Sequence, residues 1–160
     1  MDREERIKYL QMMNRRRLLL REMQKHINEI ELDDFLTLDK TKELQTEVYK
    51  IMDKLESTKC SVIRPLDTNY VDWYIDNIHS FSKYRDVKIV FFHEQAMDIG
   101  AVEIHVNVVI NNINYIVSAS EMAENGCRVF LVKKDLKFGL CLWKSEYDFQ
   151  LYKWEDLGKC

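Results

Sequence analysis

Two hydrophobic rhythms divide the chain. Over residues 3–30, Ile7, Leu10, Met13, Leu20, Met23, Ile27 and Ile30 recur at three- and four-residue steps, and neither Gly nor Pro interrupts the run. That is the period of one face of an α-helix, built here from good helix formers. Arg17 falls on the stripe and breaks it. An acidic loop follows. A second helix is then expected over 40–56, where Leu44, Val48, Ile51, Met52 and Leu55 form a single face and Asp39 is placed to cap it. Beyond Pro65, the only proline, Val71, Tyr74, Ile75, Ile78 and Phe81 predict a third helix over 69–81, with Thr68 or Asn69 at its cap.

From Val87 the period changes to two. Strands are expected at 87–92, 101–110, 113–119, 127–132, 138–144 and 147–153. Asn111-Asn112 and Asn125-Gly126 read as turns, because Asn and Gly tolerate positive φ. Ser145-Glu146 reads as a third. A two-residue loop at Asn111-Asn112 would pair Val108 with Tyr115, Val106 with Val117 and Ile104 with Ala119 on one apolar face. The opposite face would then bring His105 to Ser118 and Glu103 to Ser120. A two-residue loop at Ser145-Glu146 would pair Leu142 with Phe149 and Leu140 with Leu151, and turn Trp143, Asp148, Tyr152 and Trp154 to the other side. The expected fold is α+β: about three N-terminal helices packed on one face of a five- to six-stranded antiparallel sheet. No linker or repeat suggests a boundary, so residues 1–160 read as one domain, mainly helical over 1–82 and sheet over 87–154.

Composition limits the function classes. The chain has 160 residues, 46% hydrophobic and 32% charged, enough to bury a core without staples. The net charge of −3 argues against a dedicated nucleic-acid binder. The charge is unevenly spread: residues 9–28 hold five cations (Arg15, Arg16, Arg17, Arg21 and Lys25) against one anion, and residues 29–39 hold five acids and no cation. The basic run could contact phosphates, or could pair with the acidic block. None of the four cysteines forms a C-x-x-C pair, the first residues carry no apolar signal segment, and no apolar run is long enough to span a membrane. Together these lead us to expect a soluble cytoplasmic protein.

Candidate chemistry is sparse. Glu103, His105 and Ser118 have the residue types of an orienter, base and nucleophile, but no G-x-S-x-G turn accompanies them. His93-Glu94-Gln95-Ala96-Met97 begins like H-E-x-x-H and lacks the second histidine, so no zinc site is expected. The four glycines are too scattered for a phosphate loop, and no cofactor or metal is implied. Exposed Trp and Tyr are favoured at binding hot spots. Trp143, Asp148, Tyr152 and Trp154, together with Glu31, Asp33 and Asp34 of the acidic loop, are therefore the expected partner surface.

Residues 135–154, DLKFGLCLWKSEYDFQLYKW, and the opening Met12-Met13-Asn14-Arg15-Arg16-Arg17 resemble the two ends of small bacterial proteins of the YxiF-like group. Such proteins are encoded in loci that carry large polymorphic toxins. The resemblance implies an immunity role, non-enzymatic, with a cognate protein toxin as partner. A mildly acidic inhibitor gains on-rate against a basic toxin.

Overall fold

The computed structural model describes residues 1–123 and 126–156. The predicted first helix forms as α1 (Arg3–Gln24), opened by Asp2, whose carboxylate accepts from the Glu5 N–H in a capping box. The periodic stripe outlasts the helix, because Ile27 and Ile30 are buried from the turns beyond it. The second helix, α2 (Leu38–Ser57), starts earlier than expected. Thr37 caps it rather than Asp39, accepting from the Lys40 N–H at 3.2 Å. Strand β1 (Val62–Pro65) follows, and then α3 (Tyr70–Ile78), capped by Asn69 and continued as a 3₁₀ turn over His79–Tyr84.

The second half mixes strand and helix. Its elements are β2 (Lys88–Phe91), α4 (Ala96–Ile99), β3 (Val102–His105), α5 (Val106–Asn111), α6 (Ile113–Ser118), β4 (Arg128–Val132), β5 (Phe138–Lys144) and β6 (Asp148–Glu155). The fold is α+β with a six-stranded sheet of order β1-β6-β5-β4-β2-β3, antiparallel throughout. Residues 1–82 are mainly helical but also supply β1, and the expected sheet over 87–154 is corrected, since three short helices interrupt it. Among the described residues, no helix is long and apolar enough to cross a membrane.

The expected hairpin at Asn111-Asn112 is absent. Strand β3 stops at His105, and residues 106–118 turn into two short helices. The segment carries both periods: Val106, Val108 and Ile110 alternate, but Val106, Val109, Ile113 and Ile116 also repeat at helical spacing. The helical set is buried throughout, at 0%, 0%, 6% and 0% exposure, whereas Ile110 of the alternating set is only half-buried. Asn112 ends α5 instead of making a β-turn, its Nδ2 donating to the Val108 carbonyl at 2.9 Å. The other predicted turn, Asn125-Gly126, lies partly outside the described residues.

The hairpin around Ser145 forms in a shifted register. Lys144 pairs with Phe149 and Leu142 with Leu151, leaving a four-residue loop. Ser145 Oγ organises that loop, accepting from the Asp148 N–H at 3.0 Å and donating to Asp148 Oδ1 at 2.7 Å. A slip of two residues keeps every side chain on its predicted face, so the facial assignment stands although the pairs differ.

Helices cover both faces of the sheet rather than one. On the first face, Ile89, Phe91, Val129, Leu131, Leu140, Leu142, Phe149 and Leu151 pack with Met23 of α1, Tyr74 and Ile78 of α3, and the buried side of α5 and α6. On the second face, Val90, Phe92, Phe130, Val132, Cys141, Tyr152 and Trp154 pack beneath Leu44, Val48, Ile51, Met52 and Leu55 of α2. Gly139 lets the second layer close. A Cβ there would stand 2.3 Å from the Trp154 ring, whose Nε1 donates to the Leu136 carbonyl at 2.9 Å.

Candidate protein-binding surface

The acidic loop is clamped to the β3 edge of the sheet. Residues Leu32–Asp34 form a 3₁₀ turn closed by the Glu31 N–H donating to Asp34 Oδ2 at 2.9 Å. Asp34 Oδ1 accepts from Lys88 Nζ at 2.8 Å. The Asp34 carboxylate, backed by Glu103 and Glu31, holds the Lys88 ammonium above the usual lysine range. Phe35 bridges to Val102, and the Leu36 N–H donates to the Ala101 carbonyl at 2.8 Å. Asp34 is thus spent on the turn and on Lys88, while Glu31 and Asp33 stay exposed.

Beneath the loop lies a buried polar group. Arg16 donates from Nε to the Ile99 carbonyl (2.5 Å) and from Nη2 to the Leu36 carbonyl (2.8 Å), with its guanidinium over the Phe35 ring. Gly100, at φ 95°, passes so close that a Cβ would sit 2.1 Å from the Leu36 oxygen. His93 accepts the Gln95 N–H at Nδ1 (3.1 Å), which fixes the tautomer. Its Nε2–H therefore donates to the Gly100 carbonyl at 2.8 Å. Burial, reinforced by the Arg16 charge and opposed by the Gly100 bond, lowers the His93 pKa to about 4. The imidazole that opened the incomplete zinc motif is a neutral, doubly bonded part of the core.

In the aromatic half of the expected surface, Tyr152 and Trp154 are corrected. Tyr152 and Trp154 are 3% and 2% exposed because α2 covers their face. The Tyr152 hydroxyl donates to Gln150 Oε1 at 2.6 Å, and Gln150 Nε2 donates to Glu56 of α2 at 3.2 Å. Burial, with Glu56 and Asp53 nearby, pushes the Tyr152 phenol up to about 12. Trp143 is half-buried against Tyr49 and Phe130, and Asp148 is held in the Ser145 loop.

The basic run is divided by the helix itself. Successive residues on a helix point about 100° apart, so Arg15, Arg16 and Arg17 face three directions. Arg16 points inward. Arg15 pairs with Asp98 at 3.0 Å, not with the acidic block, and Lys25 pairs with Glu22 at 2.7 Å. Arg17 and Arg21 remain exposed.

The set Glu103, His105 and Ser118 is not assembled. The pairing that would have joined them belonged to the hairpin that does not form. Ser118 lies on α6 and donates to its own Tyr115 carbonyl at 2.7 Å, while Glu103 on β3 pairs with Lys134 at 3.3 Å. Ser120 donates to the Val117 carbonyl at 2.6 Å. Two grooves beside α1, about 670 and 390 Å³, are lined by residues such as Tyr9, Met12, Arg15 and Asp98, or Leu18, Glu22, Glu94 and Tyr115, and not by this set.

Sequence reasoning missed one further group. Arg128, 5% exposed, donates to the Tyr49 hydroxyl at 2.6 Å and to Glu121 Oε1 at 3.0 Å, with its Nε 2.6 Å from Glu121 Oε2. Its signal was visible: a lone cation in the otherwise apolar run Cys127-Arg128-Val129-Phe130-Leu131-Val132. A buried charge in such a strand needs a paired anion, and Glu121 supplies it.

No curated protein and no solved structure matches the chain. The model of one family, described as YxiF protein, matches residues 19–154, which spans both layers of the sheet, the clamped acidic loop and the buried Arg128 pair. The chain belongs to the YxiF family.

Proposed function

We propose that this protein is a non-enzymatic bacterial immunity protein that binds a cognate toxin through its acidic loop. The observation that carries the reading is the clamp. Glu31 and Asp33 are presented on a turn fixed by Asp34, Lys88, the Phe35 bridge and the Leu36 hydrogen bonds. Preorganised charges cost little ordering entropy on binding and steer a basic partner into register. The resemblance to proteins of toxin loci supplies the partner class. Tyr152 and Trp154, buried beneath α2, are left out of this reading. Nucleic acid is the weaker reading, since only Arg17 and Arg21 of the basic run stay exposed and unpaired among the described residues.

A tagged copy recovered from the native host should bring down a toxin domain in stoichiometric amount. The Glu31→Lys, Asp33→Lys double variant should keep the wild-type melting temperature and lose that partner. Equal recovery by both proteins would refute the acidic-loop assignment. Recovery of nucleic acid with a steep salt dependence would replace the reading with the basic helix.

A further inference from the structure

Helix α1 has an outer face that this chain leaves uncovered. Its inner side is set by Arg16 and Met23, the two buried residues of the helix. Directly opposite, at 100° per residue, lie Glu4, Ile7, Gln11, Asn14, Leu18 and Arg21, spaced by three and four. Ile7 and Leu18 are 46% and 53% exposed, and Leu10 on the flank of this stripe is 57% exposed. Glu4 and Arg21 make no ion pair among the described residues, whereas Arg15 and Lys25 do.

The order of residues along this stripe is self-complementary. When two copies of α1 lie antiparallel about a two-fold axis between residues 12 and 13, Ile7 meets Leu18 of the other copy and Gln11 meets Asn14. Glu4 then meets Arg21, and each pairing occurs twice by symmetry. Apolar pairs flank a hydrogen-bonding centre, and opposite charges close both ends. The contact runs over about 25 Å of helix at the usual rise per residue. The inner side of each helix, with Arg16 and Met23, faces its own body, which puts the two bodies on opposite sides of the helix pair. An isologous two-fold contact requires one patch to complement itself in this way.

We propose that this face of α1 docks a second copy of the chain, forming an antiparallel helix-pair homodimer with Ile7 and Leu18 as its apolar contacts and Glu4–Arg21 as its charge register. The face is separate from Glu31 and Asp33, so the dimer stands independently of the immunity reading.

The test is sedimentation equilibrium at low ionic strength on the full chain and two charge variants, E4R and R21E. Wild type should dimerise in a concentration-dependent manner. Each variant alone places like charges together at both ends and should dimerise about tenfold or more weakly, as expected for two lost ion pairs replaced by two repulsions. In the equimolar mixture, an E4R chain facing an R21E chain has opposite charges at both ends again. At one end the two substituted positions meet with their signs exchanged, and at the other the native Glu4 and Arg21 meet. The mixture should therefore associate about as tightly as wild type. That recovery excludes misfolding, because the mixture contains only the two weakened chains, and far-UV circular dichroism checks each. A monomeric wild type overturns the proposal and leaves the face to a different protein. A mixture no tighter than its components overturns the antiparallel register.

Discussion

The two faces of strands β5 and β6 differ in kind, yet both are core. One carries Leu140, Leu142, Phe149 and Leu151, purely apolar. The other carries Cys141, Trp143, Gln150, Tyr152 and Trp154, mixed and aromatic, and reads as a surface for a partner. In the fold, α2 covers it, and its polar atoms are met internally: Trp154 Nε1 by the Leu136 carbonyl, the Tyr152 hydroxyl by Gln150, and Gln150 by Glu56. Aromatic rings with a polar tip suit a buried layer as well as an interface, provided each tip has a partner. Amphipathic composition therefore does not distinguish a docking face from a second core. The presence of a covering helix does.

The strongest test of that equivalence is truncation on each side. Trp154→Ala is expected to cost about 3–5 kcal/mol and Leu140→Ala about 2–5 kcal/mol, read from urea midpoints. A Trp154→Ala cost below that of a surface substitution would restore the aromatic face to the outside. The next effect is pH dependence at His93. Its folded pKa, about 4, lies below the ordinary histidine value of 6.5, so the unfolded chain binds the proton more readily. The stabilisation is complete above about pH 6.5 and is lost as pH falls towards 4, about 3 kcal/mol in all. His93→Gln should flatten that part of the stability profile relative to wild type, and parallel profiles between about pH 7 and 4.5 would count against the buried neutral imidazole.

Closer in, Gly139→Ala forces a methyl into the Trp154 ring 2.3 Å away and should destabilise by about 1–3 kcal/mol. The same substitution in the Trp154→Ala background should cost much less, and an additive double mutant would show that the two do not touch. The smallest stability effect belongs to the acidic loop. Glu31→Ala and Asp33→Ala are expected to stay within about 0.5 kcal/mol, since both side chains are exposed. A larger loss for either would move that carboxylate from binding to structure.

Much of this was readable from residue order. Helices α2 and α3 follow from single apolar stripes, whereas α1 follows from its run of helix formers, since its stripe is broken at Arg17 and Ile7 faces away from Met23. The facial alternation of β5 and β6 survived a two-residue error in the hairpin, because a slip of two preserves sidedness. Of the acidic loop, Glu31 and Asp33 stay exposed while Phe35 and Leu36 are buried, and nothing in the sequence linked Asp34 to Lys88 or Phe35 to Val102, contacts between segments far apart in the chain.

What the sequence determined by itself is local: period, caps within a residue or two, charge segregation, and the α+β class. Tertiary structure decided the rest. Residues 106–118 satisfy two periods at once, and only the buried space available to Val109, Ile113 and Ile116 selected helix over strand. Arg15, Arg16 and Arg17 look like one patch until the helix turns them apart and the carbonyls of Leu36 and Ile99 draw Arg16 inward. Which face of a sheet meets water depends on where a distant helix can lie. That is a long-range packing question, and neither propensity nor alternation in a single strand contains its answer.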